Sequence, residues 1–258
     1  MRKSAGCSGK SAGKTEKAVK YAPIPAYSKG GGAFMERIIS IATEKEVFGD
    51  DEVRASVSLP VLPEKAEIPL AKSFSAYYGR MRKGFMRFAG RELLSMAKGG
   101  EVPAGAVLKA VVSSENADAA SVYVDAVVTV KGRKYLHRLP QLWDKKSGTL
   151  AAAKSLFSRK AASVLFPLVE EGVVKRAESA GISLYSDWKI IAKRRFDIRR
   201  FYLSPRGAVF FYPAETLNER NEVFPVHISA GELKSAVAAS AFERLWPDIE
   251  TESCAAEQ

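Results

Sequence analysis

Histidines, cysteines and a phosphate-loop lookalike are the residues of this chain from which catalytic chemistry would first be expected. Only two histidines occur, His137 and His227, and each alternates with apolar residues as strand residues do. Neither a His-x-x-His nor a Cys-x-x-Cys spacing is present, so no metal site and no cofactor are predicted. The Gly-Lys-Ser sequence at Gly9–Ser11 has no buried strand before it, so nucleotide hydrolysis is not predicted either. A hydrolase without a recognisable motif stays open, but the chain is predicted not to be an enzyme.

Basic and aromatic residues alternate in one segment, and this segment is the candidate binding surface. It consists of Lys189, Lys193, Arg194, Arg195, Arg199, Arg200, Phe201, Tyr202 and Arg206. Surfaces that bind single-stranded nucleic acid combine basic residues with aromatic rings on which bases stack. The plainer alternative is a solvated basic edge beside aromatic residues that face the core, and we favour it for this segment.

Charge and composition restrict the class of protein. The chain has 258 residues, a formal net charge of +11 and 47% hydrophobic residues, which is ordinary globular usage. Residues 1–33 carry seven basic residues and one acidic residue, whereas residues 247–258 carry four acidic residues and no basic one. No apolar run is long enough for a transmembrane helix or a signal peptide, and the two cysteines lie near the ends. These features predict a cytoplasmic protein with a disordered basic tail (1–33) and an acidic tail (247–258).

Periodic patterns in the body predict an α+β fold in which antiparallel hairpins pack with long helices. Val53 to Leu59 alternates in period two, which predicts a half-buried strand ended by Pro60 and Pro63. Apolar residues from Leu70 to Phe88 recur every three or four positions, which predicts a helix with one aromatic face. Its glycines weaken that helix, and Gly99-Gly100 marks its end.

The second half of the chain predicts hairpins and further helices. Strands are expected at 107–112, 121–130 and 134–143, and the last two form a hairpin around Lys131-Gly132-Arg133. A helical region covers about 149–180, where Pro167 kinks or divides it, and another helix covers 231–245. Two aromatic runs flank Ser204–Gly207, a turn in which Pro and Gly supply the required backbone angles. Residues 201–212 are therefore predicted to be a hairpin, followed by a strand at 223–228.

Several ordered motifs resemble one known family. The strand Val122–Asp125 is followed by the Trp-Asp turn Leu142–Gly148 and by Leu156-Phe157 at a helix start. The hairpin Phe201–Tyr212 and then Phe224–Lys234 complete the order. Over residues 45–245 this resembles the RsiV-type domain family, together with its N-terminal companion domain, and short uncharacterised clostridial-type proteins of the same layout. That family includes the extracytoplasmic part of the anti-sigma-V factor, a lysozyme-sensing receptor, and regions attached to peptidoglycan deacetylases.

The resemblance implies a domain organisation and a function. Residues 34–100 correspond to the companion part and 101–246 to the RsiV-like part. The implied function is a binding or sensing module whose ligand is an unknown protein or glycan, with nucleic acid or another anionic polymer as the alternative partner. The chain departs from the family at Val130–His137, where a glycine pair is missing, and at Pro213–Leu217, where a Tyr-x-Ile-x-Pro-Tyr run is replaced. Lysozyme binding and sigma-factor regulation are therefore not carried over.

Overall fold

Two β-sheets with helices on their outer faces form the body of the protein. The computed structural model describes residues 15–16, 38–63, 69–158 and 160–247. The strands are β1 (Thr15–Glu16), β2 (Ser40–Phe48), β3 (Val53–Val61), β4 (Ala104–Glu115), β5 (Ala119–Val130), β6 (Arg133–Asp144), β7 (Thr149–Leu150), β8 (Phe201–Ser204), β9 (Gly207–Tyr212) and β10 (Phe224–Ser229). The helices are α1 (Leu70–Phe88), α2 (Leu94–Ala97), α3 (Ala153–Leu156), α4 (Ala161–Ser179), α5 (Trp188–Arg195), α6 (Ala230–Leu233) and α7 (Ala239–Leu245). The predicted α+β class is confirmed.

The larger sheet contains seven strands in sequence order, from β1 to β7. All neighbours are antiparallel except β3 and β4, which are parallel and are connected through α1. Val53, Ala55, Val57 and Leu59 of β3 are buried, as their period-two pattern predicts. The strand ends at Val61, between the two prolines predicted to end it, and Pro60 itself still pairs in register with Ile41 of β2.

Helix α1 packs its aromatic face against this sheet. Leu70, Phe74 and Tyr78 are buried, and the hydroxyl of Tyr78 accepts a hydrogen bond from the indole Nε1 of Trp143 at 3.2 Å. The glycines do not end the helix. A π-helical turn (Ala89–Leu93) lies between α1 and α2. Gly90 in this turn packs closely against β2, since a Cβ there would come within 2.9 Å of the Phe48 ring. The predicted end is confirmed, since Gly99 adopts a positive φ of 73°.

The smaller sheet has the order β10-β9-β8, and α4 packs against it. The hairpin predicted at 201–212 is present as β8 and β9, with Ser204 opposite Gly207. Two helix predictions differ in extent. The region 149–180 is divided before α4, and Pro167 lies inside α4 without ending it, while 231–245 is split into α6 and α7.

Side chains between the two sheets join the halves of the molecule. The backbone N–H of Leu203 in β8 donates to the Ser121 hydroxyl of β5 at 2.8 Å. Arg138 of β6 donates twice to Asp125 of β5 at 2.7 Å, and its guanidinium lies 4.1 Å from the Tyr123 ring centroid. Strands β2 to β6 cross the predicted boundary at residue 100 in one sheet, and the proposed division there stays a prediction. The predicted tails lie outside the described residues, apart from Thr15, Glu16 and Pro247.

Candidate functional site

A basic pocket lies where the C-terminal turn of α5 meets the loop that follows β9. The cavity has a volume of about 450 Å³. Three arginines line it, together with Tyr185, Ile191, Pro213, Glu215 and Thr216. The arginines are Arg194, Arg195 and Arg200, all of which belong to the sequence-predicted surface.

Packing of α5 explains why these arginines point outwards. Ala192 is fully buried, and its carbonyl accepts a hydrogen bond from the Tyr212 hydroxyl at 3.3 Å. The helix ends at Phe196, whose backbone is extended, so the three basic residues before it occupy the last turn. Cations at a helix C-terminus are favoured by the partial negative charge of the free carbonyls. Arg200 is held from the other side, because its carbonyl accepts from the N–H of Phe211 at 3.0 Å.

The loop after β9 supplies the opposite wall. Glu215 has a positive φ of 57°, and its N–H donates to the carbonyl of Arg220 at 3.1 Å. The N–H of Tyr185 donates to the carbonyl of Leu217 at 3.0 Å, which ties the chain before α5 to this loop. The walls therefore come from segments about twenty to thirty residues apart in the sequence, which are fixed by backbone hydrogen bonds.

Ion pairing separates the basic residues of the segment into two groups. Arg199 pairs with Asp197 at 2.9 Å, and its hydrogen bond is the main reason that the pKa of Asp197 lies below its usual range. Lys189 pairs with Glu170 at 3.2 Å. Within the described part of the chain, Arg194 and Arg195 make no ion pair. The pocket thus combines three guanidinium groups with the single carboxylate of Glu215.

The remaining candidate residues lie away from the pocket. Phe201 is only 7% exposed and belongs to the core under α4. The Tyr202 ring lies 4.5 Å from the Tyr123 ring, between the sheets. Arg206 is in the hairpin turn, where its carbonyl accepts from the N–H of Ala230 at 2.9 Å, and Lys193 is exposed on α5. The structure therefore brings three of the nine residues into one pocket, buries the Phe201 ring, and leaves Tyr202 half-buried against Tyr123.

Sequence reasoning missed the residues that the pocket takes from other segments. Tyr185 and Thr216 carry no local signal, and Glu215 lies in a run that was noted only for its departure from the family. A hydrogen-bonded pair was also missed, since the Ser204 hydroxyl lies 3.2 Å from Nε2 of His227. This pair is separate from the pocket. Glu232, five residues beyond His227, accepts hydrogen bonds from the N–H and the hydroxyl of Ser229.

Within the 201–212 hairpin, β9 offers no edge for pairing with an incoming strand. Strand β9 is the central strand of its sheet, paired with β8 on one side and β10 on the other. An incoming strand needs free N–H and C=O groups along an edge. Across residues 38–63, 69–158 and 160–247, no helix has the length and apolar character needed to span a membrane. Nor do those residues include three or more His, Cys, Asp or Glu placed to hold a metal ion.

Comparison with known proteins identifies the fold. No protein-family model matches the chain, and no curated protein matches it. A DUF3298 family protein from Pseudomonas aeruginosa PAO1 superimposes with a TM-score of 0.57 at 10% sequence identity, covering 78% of this chain and 94% of that chain. The chain has a DUF3298-like fold. A member of the same family from Bacteroides fragilis NCTC 9343 gives the same TM-score at 11% identity, covering 87% of this chain and 96% of that one. At such identities the likeness concerns the fold alone.

Proposed function

We propose that this chain is a non-enzymatic binding module of RsiV-like architecture whose basic pocket receives an anionic group of its ligand. One observation carries the proposal: Arg194, Arg195 and Arg200 converge on a pocket of about 450 Å³. That volume lies within the range of about 300–1,000 Å³ typical of small-ligand sites. Planar guanidinium groups bind carboxylate, sulfate and phosphate groups through paired hydrogen bonds.

The RsiV-like part of the proposal rests on the order of motifs and on the shared DUF3298-like fold. Residues 213–217, where the chain departs from the family's sequence pattern, include three that line the pocket: Pro213, Glu215 and Thr216. The proposed ligand is therefore specific to this chain, and the ligands of the family are not transferred to it.

The proposal that the module is non-enzymatic rests on the types of side chain that line the basic pocket. Histidine is the commonest general acid or base, and neither His137 nor His227 lines the basic pocket. The pocket offers guanidinium, hydroxyl and one carboxylate group, which suit recognition of an anion.

Nucleic acid or another anionic polymer is the second candidate. It draws support from Lys193, which continues the positive charge along α5 beyond the pocket. Stacking on aromatic rings normally stabilises single-strand binding by about 1–3 kcal/mol per base. Burial of Phe201 removes that ring as a stacking platform, and half-buried Tyr202 already contacts Tyr123, so the pocket proposal is preferred.

Binding of three defined probes by the full chain tests the proposal: a heparin oligosaccharide, a single-stranded oligonucleotide and an acidic peptide. Each would be titrated at about 50 and 200 mM salt, because contacts to phosphate-type groups are much weaker at the higher salt concentration. The triple variant Arg194→Gln, Arg195→Gln, Arg200→Gln is compared with Lys83→Gln, Arg87→Gln, Arg91→Gln, which removes the same charge from exposed positions on α1 and the π-helical turn.

A charge-assisted hydrogen bond contributes about 1.5–3 kcal/mol, so each pocket arginine lost should weaken binding by about ten- to a hundredfold. The salt dependence should also fall by about one unit of slope per lost contact. The α1 variant should bind almost as the wild type does. Equal losses in the two variants would indicate attraction by overall charge only, and failure of all three probes to bind would reject the anionic ligand.

A further inference from the structure

A second cavity, apolar in character, lies between α1 and the strands β2 and β3. Its volume is about 350 Å³, again in the range of about 300–1,000 Å³ found for small-ligand sites. Most of its lining is aliphatic, and its main residues are Ala42, Val57, Leu59, Pro60, Val61 and Gly79. The cavity is distinct from the basic pocket and shares no residue with it.

The cavity exists because α1 carries a glycine where it passes over β3. A Cβ built at Gly79 would meet no atom within 4 Å, although the preceding residue, Tyr78, is only 3% exposed. Phe74 and Tyr78 fill the space towards β4, β5 and β6, whereas Ser75 and Gly79 leave the space towards β2 open. Helix interiors disfavour glycine relative to alanine, so helix formation alone does not explain this residue.

An ion pair at the cavity determines the charge of the ligand that fits. Arg82 of α1 donates through Nε and Nη2 to the two carboxylate oxygens of Glu44 on β2. The two charges compensate each other, and both residues line the cavity. A carboxylate or ammonium ligand would have to compete with this two-fold contact, whereas an uncharged ligand would leave it intact.

We infer that this cavity binds the uncharged, largely hydrocarbon part of a small molecule, such as an aliphatic chain or an aromatic ring system. Aliphatic walls favour apolar surface because its removal from water is favourable. The Arg82–Glu44 pair spans from helix to strand beside the bound group. Nothing in this inference depends on the anionic ligand proposed for the basic pocket.

Two glycines of α1 provide a matched test. Gly79→Leu places an aliphatic side chain in the cavity, whereas Gly84→Leu makes the same change where a Cβ also meets nothing within 4 Å but outside the cavity lining. Both substitutions improve helix propensity equally. The full chain would be titrated with 1-N-phenylnaphthylamine, an uncharged dye that fluoresces in apolar surroundings.

Saturable binding of one dye per chain is expected for the wild type and for Gly84→Leu, with a loss of at least about tenfold in Gly79→Leu. Ser75→Phe fills the cavity from the neighbouring turn and serves as a second variant should Gly79→Leu not fold. Absence of dye binding by the wild type, or equal binding by the two leucine variants, would overturn the inference.

Competition between decanol and decanoate tests the charge of the ligand. Decanol should displace the dye at lower concentration, since decanoate brings a carboxylate towards the Glu44 side of the ion pair. Stronger displacement by decanoate would overturn the inference of an uncharged ligand. Should a second copy of the chain occupy the cavity instead, the dye affinity would fall and the mass in solution would rise with protein concentration, which also contradicts it.

Discussion

The two cavities of the molecule are similar in size and opposite in chemistry. The cavity under α1 lies between a helix and two strands, and its lining includes the ion pair of Arg82 with Glu44. The basic pocket is formed by the last turn of α5 and by a loop, and its arginines exceed its carboxylates. A helix or strand that packs on the core has an apolar inner face, because its apolar residues recur with the period of the element. Helix ends and loops lie at the surface and can carry charged side chains instead.

This difference predicts that substitutions in one region change mainly stability and substitutions in the other change mainly binding. Val57, Leu59 and Tyr78 of the α1 cavity belong to the core of the larger sheet, as does neighbouring Phe74, so changes at these residues should alter stability. The arginines of the basic pocket are exposed or half-exposed, so changes there should alter binding and leave stability almost unchanged.

The largest expected effect comes from Phe74→Ala. Phe74 is fully buried, and its ring lies 4.7 Å from that of Tyr78 and 5.2 Å from that of Trp143. Removing a buried phenylalanine side chain costs about 3–5 kcal/mol of unfolding free energy. Chemical denaturation of the variant and of the wild type measures this loss.

The unfolding free energy of the triple variant Arg194→Gln, Arg195→Gln, Arg200→Gln is compared with that of Phe74→Ala in the same denaturation experiment. Exposed substitutions usually change the unfolding free energy by less than about 0.5 kcal/mol each. A loss as large as that of Phe74→Ala would break the comparison, because the pocket arginines would then be structural.

An intermediate effect is expected at Gly148, which lies in the turn between β6 and β7 and packs against the start of α1. Gly148 has a φ of 67°, and a Cβ there would come within 2.6 Å of the Pro69 carbonyl oxygen. Gly132 has a φ of 76° but would meet nothing within 4 Å. Gly132→Ala should therefore cost about 1–2 kcal/mol for the left-handed backbone alone.

Gly148→Ala should lose a further 1–3 kcal/mol or so, because the start of α1 must shift. Thermal unfolding of the two variants side by side separates backbone strain from crowding. Equal losses of unfolding free energy in the two variants would mean that the start of α1 shifts away from an added Cβ at Gly148 without loss of stability.

The smallest effect concerns the cap of α6, beside the smaller sheet. The Ser229 hydroxyl, followed by its N–H, holds the pKa of Glu232 below its usual range, and partial burial opposes this. A lowered pKa in the folded state means that the cap stabilises fully above the unfolded pKa of about 4.3 and less as the pH falls through the folded value.

Glu232→Gln should accordingly lose about 1 kcal/mol or less at neutral pH, since this largely exposed carboxylate is screened by solvent. The difference from the wild type should disappear under acid conditions. Unfolding free energies measured from neutral pH to about pH 3 test this sign, and a difference that persists in acid would contradict it.

Local periodicity explains which elements could be predicted. The pattern from Leu70 to Phe88 matches α1, and the turn at Ser204–Gly207 matches the β8–β9 hairpin, because each signal is contained in the element itself. Strand β2 was not predicted from the sequence. Its polar residues Thr43 to Glu46 show no period-two pattern, since the strand is half-buried near the edge of the sheet.

The sequence by itself determined the α+β class, the aromatic face of α1, the two hairpins and the clustering of positive charge near α5. Tertiary structure alone decided that β3 and β4 run parallel, that Gly79 opens an apolar cavity and that Arg194, Arg195 and Arg200 face Glu215 across a pocket. It also decided that Phe201 is buried and that Tyr202 packs against Tyr123. The physical reason is range: periodicity and turn chemistry act between near neighbours, whereas a cavity depends on which distant segments pack together.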